Sequence, residues 1–298
     1  MIRFHAISVL AAALVVAACG HNKDAKIDLQ AHRGGAGLMP ENTISAMKNA
    51  IDLKKINTLE FDLQLSQDGK VVVSHDNYFH PRYSTRPDGT LIQPDDPKEY
   101  LYTMPYDSIT KYDVGLRYVE RWPGQAKIAE VKPLASELID FAENYAAQMH
   151  HAPLGYNIEI KSRTGEGEGT LWPHFTEFCD KCMEVLLSKN LGGRLIVQSF
   201  DTRALEYVHE KWPDVILSYL TEDETDIETI LTQISFKPQW WSPNFEVVTP
   251  ENVAYCHERG IKVVPWTVDD PEDIRRMADC GSDAIISNYP DRLISVLR

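Results

Sequence analysis

The sequence predicts an α/β fold of the (β/α)8 TIM-barrel class. Short apolar runs alternate with amphipathic helical stretches, and eight strand–helix units fit within 298 residues, a length such barrels reach as one unit. The chemically active residue types stand at the ends of strands, which is where a barrel gathers them at one mouth. The competing doubly wound sheet would carry a dinucleotide or P-loop glycine pattern, and Gly34-Gly35-x-Gly37 fits neither.

Taken in order, a strand over 27–31 ends in His32-Arg33 and the glycine-rich turn. Apolar residues at helical spacing predict a helix over 43–56, with Asn42 as its N-cap. A strand over 58–65 carries Glu60 and Asp62 and stops at the turn Gln67-Asp68-Gly69. An extra strand over 70–74 leads to His75. The stretch 77–127 is rich in Pro, Tyr and Asp and has no sustained period, so it reads as an insertion after the extra strand that ends in His75. A loop of that length at that face serves the substrate. Alternation resumes with a helix over 134–149, a strand over 156–161 and a helix over 172–189. Strands over 194–200, 215–220, 240–245, 262–268 and 284–287 follow, separated by helices over 202–211, 226–234, 250–259 and 271–280. A terminal helix lies near Arg292.

The beginning of the chain differs from the rest. Arg3 precedes an apolar run over 6–18 that is too short for a stable bilayer span, and Cys19 follows Ala17-Ala18. Residues 1–18 read as a signal peptide. The Ala-Ala-Cys ending resembles a bacterial lipobox, with Cys19 lipidated, residues 19–26 as a tether, and residues 27–298 as the barrel domain. The expected location is an exported lipoprotein held to a membrane by its N-terminal anchor and facing the periplasm or the cell exterior. A net charge of -14 and a pI near 5.1 exclude a general nucleic-acid binder. With Cys19 set aside, four cysteines remain. Cys179 and Cys182 lack a second C-x-x-C partner pair for zinc, which leaves a disulfide or plain buried thiols.

Side chains alternate faces along a strand, so Glu60 and Asp62 point the same way. Two adjacent carboxylates require a positive partner, or a proton on one of them. In a barrel Glu159 joins them, and an all-oxygen set favours one divalent cation, Ca2+ or Mg2+. Arg33 and Lys161 can hold phosphate oxygens, although Lys161 can equally pair with Glu159. His32 and His75 supply a general acid and a general base, and Trp266 at a strand end makes a substrate wall. His150, His151, His174, His209 and His257 read as surface residues.

The motifs His32-Arg33-Gly34, Pro40-Glu41-Asn42-Thr43, Glu60-Phe61-Asp62, Asp68-Gly69, Val72-Val73-Ser74-His75-Asp76, Glu159-Ile160-Lys161, Gln198-Ser199-Phe200 and Trp266-Thr267-Val268 together resemble the glycerophosphodiester phosphodiesterases. The resemblance spans nearly the whole chain after the signal. It implies a TIM barrel with an insertion, metal ligands at Glu60, Asp62 and Glu159, a catalytic pair His32 and His75, and phosphate contacts at Arg33 and Lys161. The implied reaction is metal-dependent hydrolysis of a small glycerophosphodiester to sn-glycerol 3-phosphate and an alcohol. Phospholipase D-like cleavage of lysophospholipids and a lipid-anchored binding protein on the same fold are the rival readings. One departure stands at Asn288, where the family usually has Asp; the expectation is that it leaves the catalytic set untouched.

Overall fold

In the computed structural model, which describes residues 26–298, strand β1 (Asp28–Ala31) pairs in parallel with β2 (Thr58–Leu65) on one side and β9 (Ala284–Ser287) on the other. The parallel ladder continues from β2 through β4 (Gly155–Ile160), β5 (Leu195–Ser199), β6 (Ile216–Thr221) and β7 (Trp240–Pro243) to β8 (Lys262–Val263). Backbone hydrogen bonds from Asp283 N to Val263 O, Ile286 N to Pro265 O and Val268 N to Ile286 O, at 2.9–3.0 Å, nearly close the barrel between β8 and β9. The extra strand β3 (Val71–Val73) lies antiparallel on β2. The predicted signal peptide, Cys19 and the tether through residue 25 lie outside the described residues. Among the described residues no helix is long and apolar enough to cross a membrane.

All eight residues of β2 are buried because both of its faces are covered. Leu59, Phe61, Leu63 and Leu65 point outward, into the core shared with Met47 and Ile51 of α1 (Ile44–Asp52) and Leu138 and Ala142 of α3 (Ala135–Gln148). Glu60, Asp62 and Gln64 point inward. The register sets Asp62 beside Glu159, and Glu159 beside Gln198. A small apolar layer of Ile196, Trp240, Val264, Ala284 and Ile286 lies inside the barrel. The barrel interior therefore carries an acidic patch at the mouth end, above packing that is ordinary for this fold.

Two expectations change. The helix predicted over 43–56 is capped by Thr43, whose hydroxyl accepts from Ala46 N at 3.3 Å, and not by Asn42. Asn42 adopts φ 59 and turns its side chain to the barrel. The strand predicted over 262–268 is regular only at Lys262–Val263, because Pro265 has no N–H to give the ladder. The stretch 77–127 is aperiodic but ordered. It contains the single-turn helix α2 (Tyr106–Ile109) and folds around Phe79, Tyr83, Ile92, Leu101, Ile109 and Trp122 in a small core of its own, into which Val72 and Ala36 reach. Cys179, Cys182, Cys256 and Cys280 are buried free thiols, so the disulfide alternative falls away.

Candidate active site

The chain leaves β1 through a tight turn made possible by Gly34 and Gly35. Arg33 sits at φ 52 and Gly34 at φ 79, and a Cβ on Gly34 would lie 2.8 Å from the Ala46 side chain. This turn aims Arg33 N at Glu60, whose Oε2 accepts at 2.8 Å. The Arg33 guanidinium lies across Glu41 Oε1 at 2.8 Å and Asp62 Oδ2 at 3.4 Å. Asn42 Nδ2 donates to the same Asp62 oxygen at 2.8 Å, and Asp62 N donates back to Asn42 Oδ1 at 3.2 Å. Gln198 Nε2 donates to Glu60 Oε1 at 2.9 Å. Lys161 Nζ donates to Glu159 Oε1 at 2.8 Å and stands 3.8 Å from Asp62 Oδ1.

One ligand atom from each of Glu60, Asp62 and Glu159 lies within 4.8 Å of the others, and all three residues are buried. Asp62 Oδ1 is buried with no hydrogen-bond partner. Three convergent carboxylates with an orphaned oxygen among them fit a hard divalent cation. Burial and the neighbouring Asp62 charge push the Glu60 carboxyl well above its usual range, and burial also raises Glu159. Burial opposes ionisation of Asp62 as well, but His75, Arg33 and Lys161 together pull it below the usual range. A bound cation would stabilise all three as carboxylates.

His32 and His75 line the same pocket as this cluster. Burial, reinforced by the Arg33 charge, lowers His32 to about 3, so it is neutral at ordinary pH. Its Nε2 is 4.0 Å from Glu60 Oε2, and its Nδ1 is 2.6 Å from Asn288 Oδ1. Asn288 thus touches His32 directly, contrary to the expectation from sequence, because the last strand of a closed barrel is the neighbour of the first. His75 Nδ1 lies 3.3 Å from Asp76 Oδ1, and Tyr83 OH steadies Asp76 through Oδ2 at 2.9 Å.

A pocket of about 340 Å³ opens at the carboxyl ends of the strands and is lined by His32, Arg33, Glu60, His75, Glu159 and Lys161, with Asp62 just beneath. Trp266 forms part of its wall, its Nε1 donating to Ser242 O at 2.9 Å and its ring edge-on to Phe200 at 5.4 Å. The structure brings His32, Arg33, Glu60, Asp62, His75, Glu159, Lys161 and Trp266 together at this mouth. Sequence reasoning took Asn42 for a helix cap and gave no role to Gln198 or Asn288, although each stands in or beside a quoted motif. Arg82, Arg121 and Trp122 of the insertion also line the pocket. Nothing in their aperiodic surroundings singles them out.

A barrel mouth that gathers two imidazoles, cations and buried acids around one pocket has the groups that a barrel hydrolase of anionic esters needs. The sequence matches the glycerophosphoryl diester phosphodiesterase family over residues 32–292, and the chain belongs to that family. It is 29% identical over 270 residues to a glycerophosphodiester phosphodiesterase of Caldanaerobacter subterraneus subsp. tengcongensis, covering 90% of this chain and 96% of that one. Among solved structures it resembles a Silicibacter pomeroyi protein assigned to the glycerophosphoryl diester phosphodiesterases, with TM-score 0.79, 27% identity, and coverage of 92% and 94%. An Oleispira antarctica phosphodiesterase solved with the product sn-glycerol-3-phosphate shares the fold, with TM-score 0.70 and 24% identity over 90% of this chain and 96% of that one.

Proposed function

We propose that the protein hydrolyses small glycerophosphodiesters to sn-glycerol 3-phosphate and an alcohol, using one divalent cation, Mg2+ or Ca2+, with His32 and His75 as the acid–base pair. The observation that carries this reading is the cluster Glu60, Asp62 and Glu159, with its orphaned Asp62 oxygen, set between two histidines in one pocket.

Glu60, Asp62 and Glu159 would hold the cation, which supplies charge neutralisation at the phosphorus oxygens when bound. Arg33 keeps guanidinium donors beyond those spent on Glu41 and Asp62, and Lys161 keeps ammonium donors beyond the one given to Glu159, so both can grip the phosphodiester. One histidine takes the proton of the attacking hydroxyl, whether water or the substrate's own glycerol hydroxyl. The other protonates the leaving alkoxide. Trp266 shapes the wall beside them.

The reading extends to location: an exported lipoprotein anchored through Cys19 and facing the periplasm or cell exterior. β1 enters the barrel at the pole opposite the pocket. A lipid on Cys19, joined by a tether at most about 28 Å long, would hold the mouth away from its own membrane, which favours water-soluble diesters over bilayer lipids. The test is release of glycerol 3-phosphate from glycerophosphocholine with and without EDTA. Metal-dependent release supports the reading. No release under any cation, with turnover of lysophospholipid instead, supports the phospholipase D-like rival, and turnover of neither supports a binding protein.

A further inference from the structure

A neutral imidazole carries its proton on one of two nitrogens, and what His32 can do depends on which. Its Nδ1 faces the Asn288 side chain at 2.6 Å. An amide can present either an oxygen or an NH2, and here the choice is fixed from the far side. Asn288 Nδ2 donates to Asp269 Oδ2 at 2.8 Å. The other oxygen of Asp269 accepts from Asn288 N at 2.9 Å and from Ser287 Oγ at 3.1 Å. A carboxylate engaged this way only accepts, so a flipped amide would set oxygen against oxygen. Asn288 is 2% exposed, and its carbonyl holds Gly37 N at 2.9 Å, in the same turn that carries His32. The atom facing the ring is therefore an acceptor, and the hydrogen between them belongs to His32.

We propose that Asn288, aligned by Asp269, is a positioning residue that holds His32 as the Nδ1–H tautomer and leaves Nε2 as the nitrogen that exchanges protons in the pocket. The kinetic consequence rests on the acid–base reading above; the tautomer does not. The two histidines are held differently. His75 has a carboxylate directly against its ring, whereas His32 has a neutral amide, with the carboxylate one bond further out. The amide gives direction without adding a negative charge beside Glu60 and Asp62.

The experiment is long-range proton–nitrogen correlation on protein labelled with 15N-histidine near neutral pH, in wild type, Asn288→Ala and the double variant Asn288→Asp/Asp269→Asn, with kinetics on glycerophosphocholine alongside. The His32 signal is assigned by its loss in His32→Gln. Wild type should show the Nδ1–H pattern. Asn288→Ala should lose it and drop kcat about 10- to 100-fold, the usual cost of removing a partner that orients a working histidine, with KM little changed. Asn288→Asp supplies an acceptor but sets oxygen against oxygen at Asp269, so the double variant Asn288→Asp/Asp269→Asn, which restores the donor between them, should recover both the tautomer and most of the rate. An Nε2–H pattern in wild type overturns the proposal, as does an Asn288→Ala protein with unchanged tautomer and kcat. The wild-type spectrum decides even where a variant fails to fold or the substrate assignment is wrong.

Discussion

At Glu60, burial and the neighbouring Asp62 charge hold the carboxyl well above its usual range, although Arg33 N and Gln198 Nε2 both donate to it. A cation that binds only the native form adds stability, about 2.7 kcal/mol at a hundred times its dissociation constant. Thermal unfolding of wild type should shift upward with added Mg2+ or Ca2+, and the shift should vanish in Glu60→Gln. A Glu60→Gln protein that keeps the full shift would place the cation elsewhere. Most of this site could be read from the chain because Glu-x-Asp on one strand face and a strand-end histidine are local patterns. Asn288 could not be read in its role: its contact with His32 spans 256 residues and exists only once the barrel closes. Asn42 looked like a helix cap because Asn suits that position, but Thr43 caps equally well, and Asn42 is released to brace Asp62.

Among the elements, the end of β3 owes its placement to a buried amine. Lys132 Nζ donates to Ser74 Oγ at 2.7 Å, between the rings of Phe79 and Tyr83, and so braces the strand end that carries His75. Burial pushes Lys132 down from 10.5 to about 8. Between those values the unfolded chain holds a proton that the folded chain has released, so stability rises with pH in that window. The burial cost, about 3 kcal/mol, is full below pH 8 and gone above about 10.5. Lys132→Met should remove this slope, its stability relative to wild type falling steadily between pH 8 and 10.5 in denaturant titrations. Parallel slopes for the two proteins would show that the amine is not buried as charge. The helices and most strands follow their sequence periods to within a few residues. The strand over 262–268 does not, since apolar composition alone is blind to the ladder bond that Pro265 lacks. Lys132 itself carried no signal, because its aromatic cover comes from an insertion without period.

For the whole molecule, a chain of net charge -14 must draw in an anionic ester. The four cations lining the pocket do this locally, two from barrel strand ends, Arg33 and Lys161, and two from the insertion, Arg82 and Arg121. Replacing Arg82 and Arg121 together by Ala should raise KM on the order of 10-fold at low salt, with kcat little changed and the difference shrinking as salt is added. A salt-independent loss of kcat would assign them to the chemistry instead. The barrel was legible from the count of strand–helix units, but the insertion's contribution to the mouth was not, since nothing periodic predicts which loop residues fold back over a site. The central claim is that the acidic triad and the two histidines act together on a glycerophosphodiester. Its most direct test is the rate of sn-glycerol 3-phosphate release by wild type, His32→Ala, His75→Ala and Glu60→Gln, each with added Mg2+, with Ca2+ and with EDTA. The account predicts release by wild type only with a cation, and loss of release in all three variants. Release that persists in EDTA, or in either histidine variant, would contradict it.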